Sequence, residues 1–247
     1  MTEPKATRRI NDIWLGRFER WALPKMADRL PAWVSPDGLT ALALGGALLS
    51  SVAYALAGRD TAWLHVASLG LVLHWWGDSL DGTLARVRQI RRERYGFFVD
   101  HQCDALSTVM LAVGMGAGSL MRMDVALAVG VGVLMLMLLV NMVTIARGVF
   151  KISFAGLGPT ELRLLAIAMN TTVWAVGPGR YTVAGQSGTL LDLLGLVGIT
   201  GLGLFYLVAT VRETRRIARL DPRPPPGADG IAYDPTGQQR APTDARS

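Results

Sequence analysis

The sequence predicts an all-α integral membrane protein, a bundle of six transmembrane helices preceded by an interfacial amphipathic helix. The chain of 247 residues is 51% hydrophobic, with a mean hydropathy of +0.32. Its long apolar runs approach the roughly 20 residues that a helix needs to cross a bilayer. They lack the alternation and the roughly 10-residue length of barrel strands, so helices are the structure that satisfies their backbone groups in lipid.

The first element is an amphipathic segment ahead of the spans. Between Arg9 and Ala22 apolar residues recur at helical spacing and charged residues cover the other side, which predicts a helix lying on the membrane surface. A break rich in proline follows, where Ser35 or Asp37 is expected to cap the next helix.

Six apolar segments are the predicted spans. They are Leu39 to Ala57, Ala62 to Gly77, Phe97 to Leu120, Val125 to Ile145, Leu162 to Gly177 and Leu190 to Val211. An even number of spans places both termini on one side. Of the 25 Lys and Arg residues, all except Arg59, Arg122 and Arg180 fall on that side. The positive-inside rule therefore predicts that both termini lie in the cytoplasm. We expect a multi-pass protein of the cell inner membrane, with the candidate site described below also on the cytoplasmic side.

Three regions follow from this organisation. Residues 1–38 form the cytoplasmic and interfacial segment, residues 39–220 the transmembrane domain, and residues 221–247 a tail whose Pro, Gly and charge predict disorder. The pI near 10.0 fits basic flanks that attract anionic membrane lipids, so no nucleic-acid partner is predicted. Cys103 is the single cysteine, which excludes an intrachain disulfide.

Four aspartates lie where the second and third apolar segments meet a short basic loop. Asp78 and Asp81 are three residues apart, and Asp100 and Asp104 are four apart, so each pair lies on one helix face. If the two helices converge, the carboxylates repel one another, and a divalent cation relieves that repulsion. Oxygen ligands without a cluster of His or Cys favour Mg²⁺, Mn²⁺ or Ca²⁺ over zinc.

Small and basic residues accompany the first acid pair. Gly82 and Ala85 share the face of Asp78 and Asp81, and their lack of bulk allows a ligand to lie against the helix. Arg86 and the nearby Arg88 offer charge for phosphate oxygens. The pattern indicates an enzyme that binds a phosphate-bearing substrate through metal.

The same residues carry a family resemblance. The pattern DxxDGxxAR from Asp78 to Arg86, followed by Gly96 and then DxxxD from Asp100 to Asp104, resembles the signature of the CDP-alcohol phosphotransferases. These are integral membrane enzymes of phospholipid synthesis with a six-helix catalytic core. The spacing between Arg86 and Gly96 is slightly longer here than in that family, and a loop absorbs such a difference easily.

Weaker matches lie on either side of the signature. Pro36, Asp37 and Thr40 resemble the family's Pro-Asn-x-x-Thr element, with Asp37 in place of Asn. The segment from Asp100 to Asp104 contains His101 and Cys103, as in the choline and ethanolamine phosphotransferase branch. The segment from Gly158 to Glu161 is similar to the Gly-Pro-Gly-Glu of that branch. Both matches favour a CDP-linked small alcohol as donor.

The resemblance implies a reaction and a site. An alcohol acceptor, such as diacylglycerol, attacks the β-phosphorus of a CDP-linked donor and CMP leaves. Two Mg²⁺ or Mn²⁺ ions are implied, and a homodimer is implied as well. The implied metal ligands are Asp78, Asp81, Asp100 and Asp104, and the implied nucleotide contacts are Asp78, Asp81, Gly82, Ala85 and Arg86, with Thr40 from the weaker element.

Two candidates remain for the catalytic base. One is Asp104, and the other is His101 working with Glu161, as the aminoalcohol branch suggests. Metal ligation competes with the basicity of Asp104, whereas an unperturbed histidine has a pKa near 6.5, so we favour His101. A supporting role for His101, orienting an aspartate, remains open. Arg163 lies beside Glu161 just inside a span and is a candidate for binding a substrate phosphate.

Two rival functions remain open on the sequence alone. One keeps the chemistry but uses CDP-diacylglycerol as donor and a soluble acceptor such as glycerol phosphate, inositol phosphate or serine. The other is a cation or lipid transporter, because acids within the membrane also mark ion pathways. The clustering of all four acids at one end of two spans favours the enzyme, which metal-dependent CMP release would distinguish from a transporter.

Overall fold

A computed structural model describes residues 8–10, 15–147, 149–151, 158–183 and 186–222 of the chain. Within that part of the chain, seven helices form most of the structure, which confirms the helical class. The helices are α1 (Gly16–Asp28), α2 (Pro36–Ala57), α3 (Trp63–Val87), α4 (Glu93–Ala117), α5 (Met123–Arg147), α6 (Pro159–Val176) and α7 (Leu190–Leu220). Four short strands are β1 (Arg8–Ile10), β2 (Val149–Lys151), β3 (Arg180–Val183) and β4 (Gln186–Thr189).

In the described part of the chain, three helices are long and apolar enough to cross a membrane, namely α2, α5 and α7. The other three predicted spans fall on α3, α4 and α6, which carry the polar residues of the candidate site. The structure extends two predicted segments: α3 continues past Gly77 to Val87, and α7 continues past Val211 to Leu220. A helix can extend beyond its apolar residues because its backbone hydrogen bonds do not depend on the hydropathy of its side chains.

The bounds predicted for the amphipathic helix, Arg9 to Ala22, are wrong. The helix is α1, which begins at Gly16, and β1 instead pairs in parallel with β2. Hydrogen bonds to a segment distant in sequence favour a strand at Arg8–Ile10, and helical periodicity cannot reveal such a partner. Residues 11–14 of the predicted helix and residues 223–247 of the predicted disordered tail lie outside the described residues.

Helix α2 packs against both α3 and α4 and brings them together. Small residues permit the close approach: a Cβ added at Gly46 of α2 would lie 2.5 Å from the backbone nitrogen of His74 in α3. On the other side, a Cβ at Gly114 of α4 would collide with the backbone of Ser51 in α2. With two helices held against a common neighbour, the acid-bearing ends of α3 and α4 lie side by side.

The remaining helices attach through polar contacts within an apolar bundle. Asn170 of α6 hydrogen-bonds Tyr54 of α2 at 3.0 Å and Ser68 of α3 at 3.1 Å. Helix α5 packs on α4 and α7, and the guanidinium of Arg147 forms an ion pair of 2.6 Å with Glu213 of α7. These contacts fix α6 and α5 around the pair α3 and α4.

Candidate active site

Three of the four predicted metal ligands converge. Asp78 of α3 and Asp100 and Asp104 of α4 each offer a carboxylate oxygen, and the three oxygens lie within 4.8 Å of one another. All three residues are half-buried. The spacing of four residues places Asp100 and Asp104 on one face of α4, and that face lies toward Asp78. The two acid-bearing helices therefore bring together three of the four aspartates that were expected to meet.

Asp81 is held separately from those three. Its Oδ2 accepts a hydrogen bond of 2.7 Å from the hydroxyl of Thr40, and its Oδ1 accepts one from the backbone of Gly82. Thr40 lies in the first turns of α2, so this bond links α2 to the acid-bearing end of α3. Two predicted site residues, Thr40 and Asp81, are thus in direct contact.

The donor set fits a hard divalent cation. Carboxylate oxygens are the ligands that Mg²⁺, Mn²⁺ and Ca²⁺ prefer, and converging carboxylates attract a cation by their own charge. The oxygens of Asp78, Asp100 and Asp104 are near enough to share one ion. A Mg²⁺ bound by a few carboxylates usually retains coordination positions for water and substrate phosphate.

A cationic side chain of α6 reaches the acid cluster. The Nη2 of Arg163, on α6, donates a hydrogen bond of 2.8 Å to Oδ2 of Asp78. Its Nε donates to Nδ1 of His74 at 3.2 Å, so that nitrogen of His74 acts as the acceptor. His74 is buried and stands four residues before Asp78 on α3, on the same helix face. Arg163 thus contacts the acid cluster, while its role in binding a substrate phosphate stays a prediction, and His74 is a neighbour of the cluster that the sequence motifs do not include.

His101 lies on the edge of the cluster. Its Nδ1 is 2.9 Å from the carbonyl oxygen of Phe97 and 3.6 Å from a carboxylate oxygen of Asp100. A carbonyl oxygen is only an acceptor, so this contact favours the tautomer with a proton on Nδ1 and a lone pair on Nε2. The ring also packs against Phe97, with centroids 4.1 Å apart.

Glu161 is buried and bonded to backbone. One carboxylate oxygen accepts a hydrogen bond of 2.9 Å from the backbone nitrogen of Leu15, and the other accepts one of 3.0 Å from that of Gly158. The second bond caps the first turn of α6, and the first ties that turn to the residue before α1. Both oxygens of the predicted partner of His101 therefore have a structural use.

The surface beside the acids is open on α3. A Cβ added at Gly82 would have nothing within 4 Å, and the same holds at Gly96 at the start of α4. Arg86 is exposed there and donates a hydrogen bond of 2.9 Å to the hydroxyl of Thr83, and Ala85 is half-buried. This arrangement leaves room for a flat or extended ligand beside the acid cluster.

The connection between α1 and α2 reaches the loop between α3 and α4. Ser35 caps α2, as one of the two predicted alternatives, by accepting a hydrogen bond of 3.0 Å from the backbone of Gly38. Asp37 instead forms a two-pronged ion pair with Arg92, at 3.0 and 2.9 Å. The guanidinium of Arg88, a candidate for binding phosphate oxygens on the sequence alone, donates hydrogen bonds to backbone carbonyls of this connection.

A mostly apolar groove of about 240 Å³ lies between α1, α3 and α6. Arg163 lines it and also contacts Asp78 of the acid cluster, so the groove adjoins the site. Glu19 of α1 lines it too, accepting hydrogen bonds from Thr160 at 2.5 Å and from the indole of Trp75 at 3.4 Å. Its apolar lining includes Leu15, Phe18, Leu71, Val72, Leu164 and Ile167.

The span-length helices α2, α5 and α7 indicate an integral membrane protein. Its helices α3, α4 and α6 carry the converging carboxylates and the guanidinium of Arg163. The profile of the CDP-alcohol phosphatidyltransferase family matches residues 33–208. The chain belongs to this family of transferases. The match covers α2 to α6 and most of α7, including the acid cluster.

Individual relatives narrow the resemblance to one branch. Cholinephosphotransferase 1 of Gallus gallus is 32% identical over 118 residues, which cover 44% of this chain and 33% of the relative. The human cholinephosphotransferase 1 is 33% identical over 91 residues, covering 34% of this chain and 22% of the relative. The chain thus matches a third or less of the length of these relatives. The similarity to the choline and ethanolamine phosphotransferase branch is confirmed.

Proposed function

We propose that this protein transfers a phospho-alcohol group from a CDP-linked donor, of the CDP-aminoalcohol type, to a lipid alcohol of the diacylglycerol type. The acceptor oxygen forms a bond to the β-phosphorus, the bond from that phosphorus to the bridging oxygen breaks, and CMP leaves with that oxygen. The acceptor's hydroxyl proton passes to a base. The convergence of Asp78, Asp100 and Asp104 within 4.8 Å, beside the open face at Gly82, carries this proposal.

Asp78, Asp100 and Asp104 would hold a divalent cation, with Asp81 completing the ligand set on the nucleotide side. We propose Mg²⁺ or Mn²⁺, two ions for each site. Such ions neutralise diphosphate charge and stabilise the attacking and leaving oxygens of a phosphoryl transfer. The bond from Thr40 orients Asp81, and the bond from Arg163 orients Asp78.

The nucleotide would lie on the open face of α3. Gly82 and Ala85 present little bulk there, and Arg86 is exposed beside them for a phosphate oxygen. Thr40 adjoins the same face through its bond to Asp81. A substituent at Gly82 would occupy the space assigned to the donor.

His101 is our proposed base. Its contact with the Phe97 carbonyl leaves the lone pair on Nε2, the nitrogen that accepts the proton of the acceptor hydroxyl. Glu161 then acts on the site through α6, by capping the helix that carries Arg163. Asp104 is the alternative base, and the two are distinguished by the variants described below.

The acceptor lipid would enter along the groove between α1, α3 and α6. The apolar lining suits an acyl chain, and Arg163 connects the groove to the acid cluster. The hydroxyl of a lipid alcohol can then approach the donor phosphate from the membrane side. A lipid occupant fits the groove better than a soluble phosphate acceptor, which would meet mostly apolar side chains.

The membrane arrangement we propose has six spans, α2 to α7, with α1 at the cytoplasmic surface. Helices α3 and α4 each have 25 residues and are about 37 Å long, which exceeds the hydrocarbon core. Exposed Phe18 and Trp21 on α1 suit a membrane interface. We also propose that the site faces the cytoplasm of the inner membrane and that the protein is a homodimer.

The test is a screen of donors and acceptors with purified protein in lipid vesicles. CDP-choline, CDP-ethanolamine and CDP-diacylglycerol are each paired with diacylglycerol, glycerol phosphate, inositol phosphate or serine, and both CMP and the product lipid are measured. We expect CMP only with a divalent cation, and the most product from a CDP-aminoalcohol with diacylglycerol.

Two outcomes would change the proposal. Product formed from CDP-diacylglycerol and a soluble acceptor would keep the chemistry and reverse the roles of lipid and soluble substrate. No CMP with any pair, at cation concentrations that fully load the protein, would reject the transferase.

A further inference from the structure

Arg88 makes an extensive set of contacts next to the site, although it touches no acid of the cluster among the bonds described. Its Nη2 donates to the backbone carbonyls of Leu30 at 3.1 Å and Pro31 at 2.8 Å. Its Nη1 donates to the carbonyls of Ala32, at 3.5 Å, and Val34. One guanidinium at the end of α3 therefore binds four carbonyl oxygens of the connection between α1 and α2.

The chemistry of this contact suits arginine. A planar guanidinium presents several N–H donors in fixed directions, which one ammonium group cannot match. The carbonyls follow directly after the C-terminus of α1, where the helix dipole also favours a positive charge. Both terminal nitrogens of Arg88 donate to these carbonyls, so its guanidinium binds the connection between α1 and α2.

The connection leads directly into the site. Val34 precedes the capping residue Ser35, and Thr40 follows in the first turns of α2. Thr40 in turn donates its hydroxyl to Asp81, which lies seven residues before Arg88 on α3. The start of α2 is thus attached to α3 at two places, by Arg88 outside the site and by Thr40 within it.

Resting on the proposed function, we propose that Arg88 is a positioning residue of the nucleotide site, which fixes the start of α2 so that Thr40 holds Asp81 toward the donor. It acts through the connection and makes no contact with substrate. Its neighbour in the same loop, Arg92, also reaches this region, through Asp37, but that ion pair is exposed on both sides. Exposed ion pairs contribute little, so Arg92 is the matched control.

The experiment compares Arg88→Gln, Thr40→Ala and their double variant by steady-state kinetics. Each hydrogen bond to a charged group that is lost weakens the arrangement, so Arg88→Gln should raise the KM for the CDP-linked donor about tenfold, with a smaller change in kcat. Because Arg88 acts through Thr40, the double variant should be no worse than Thr40→Ala. Arg92→Gln should leave KM within about twofold, and combined with Thr40→Ala it should add nothing beyond that factor.

Two kinetic results would contradict the positioning role of Arg88. If the effects of Arg88→Gln and Thr40→Ala multiply, or if Arg88→Gln leaves the donor KM unchanged, the positioning role is rejected. Should Arg88→Gln not fold, Arg88→Lys, which keeps the charge but not the planar fork, replaces it with the same expected pattern and the same grounds for rejection.

A second measurement does not depend on turnover. Backbone hydrogen exchange over residues 36–41 should speed up in Arg88→Gln and stay unchanged in Arg92→Gln. If the wild-type protein releases no CMP, the proposed function fails alone, and the exchange rates still decide whether Arg88 holds the start of α2. Equal exchange in wild type and Arg88→Gln would overturn the proposal.

Discussion

Two acidic regions of this protein, one buried and one half-buried, differ in where their carboxylates find partners. At the start of α7, Asp192 is only 1% exposed, and its oxygens accept hydrogen bonds from the backbone nitrogens of Arg122, at 2.6 Å, and Thr189, at 2.7 Å. At the converging ends of α3 and α4, the oxygens of Asp78, Asp100 and Asp104 instead face one another within 4.8 Å.

The difference separates a carboxylate held by backbone N–H groups from carboxylates that lie next to one another, one of them paired with Arg163. Backbone N–H groups stabilise the charge of Asp192 and let it join the start of α7 to the residue before α5 at little electrostatic cost. Like charges brought together raise the energy of the folded protein unless a cation or protons compensate. Arg163 supplies one compensating charge at Asp78, and the divalent cation that we propose would supply the rest.

Glu161 belongs with Asp192 by this criterion. It too is buried, and both its oxygens accept hydrogen bonds from backbone nitrogens. Yet it lies two residues from Arg163, which contacts the acid cluster. Substituting Glu161 therefore tests whether a carboxylate bonded to backbone can also take part in the chemistry.

The largest effect is expected from Asp100→Asn. Losing one carboxylate of the cluster removes charge that holds the cation, and the cation supplies several kcal/mol to the reaction, so CMP release should fall at least about 100-fold. The fold should survive, because the remaining like charges repel one another less. Thermal unfolding in detergent, measured beside activity, checks both. Activity near that of the wild type would show that the cluster is another set of structural acids.

His101→Ala should have the next largest effect on activity, because a general base contributes about 100-fold or more. The matched variant is Asp104→Asn, and the readout is kcat as a function of pH. If His101 is the base, the acidic limb of the kcat profile disappears in His101→Ala. If that limb remains, and kcat is unchanged, the base assignment moves to Asp104.

Asp192→Asn is the reverse case, in which stability changes and the chemistry does not. The asparagine oxygen can accept from one of the two backbone N–H donors, while its NH₂ group faces the other and cannot accept from it. This mismatch should lower the free energy of unfolding by about 1–3 kcal/mol. The CMP release of the folded fraction should match the wild type. A loss of activity without loss of stability would contradict the structural role.

Glu161→Gln is expected to have the smallest effect. Glutamine also serves in a capping box, so one bond to backbone can persist, and activity should fall by less than about tenfold. The measurement is kcat at saturating donor, with thermal unfolding as the control for folding. A loss as large as that of His101→Ala would place Glu161 in the proton transfer and contradict a purely structural role for it.

Sequence spacing gave a good account of the acid cluster. Three or four residues between aspartates put them on one helix face wherever a helix forms, so the shared faces were predictable, whereas the convergence of α3 and α4 was not. The resemblance named Thr40 as a nucleotide contact, without its hydrogen bond to Asp81. The same spacing rule applied to His74 and Asp78 would have indicated that His74 faces the site.

Other contacts had no local signal. The start of α1 was misplaced because β1 is stabilised by β2, far away in sequence. The bonds of Arg88 end on backbone carbonyls, which every residue has, so no pattern of side chains identifies the partner. The same holds for Glu161, whose partners are backbone nitrogens of Leu15 and Gly158.

The helical class, the apolar segments and the position of the four aspartates could be read along the chain, because hydropathy and helical periodicity are local properties. Which acids face one another, and which bind backbone nitrogens, follows from how closely α3 and α4 pack against α2. The energy of a carboxylate depends on distances of a few ångströms to groups far away in sequence, and those distances are set only when the helices pack.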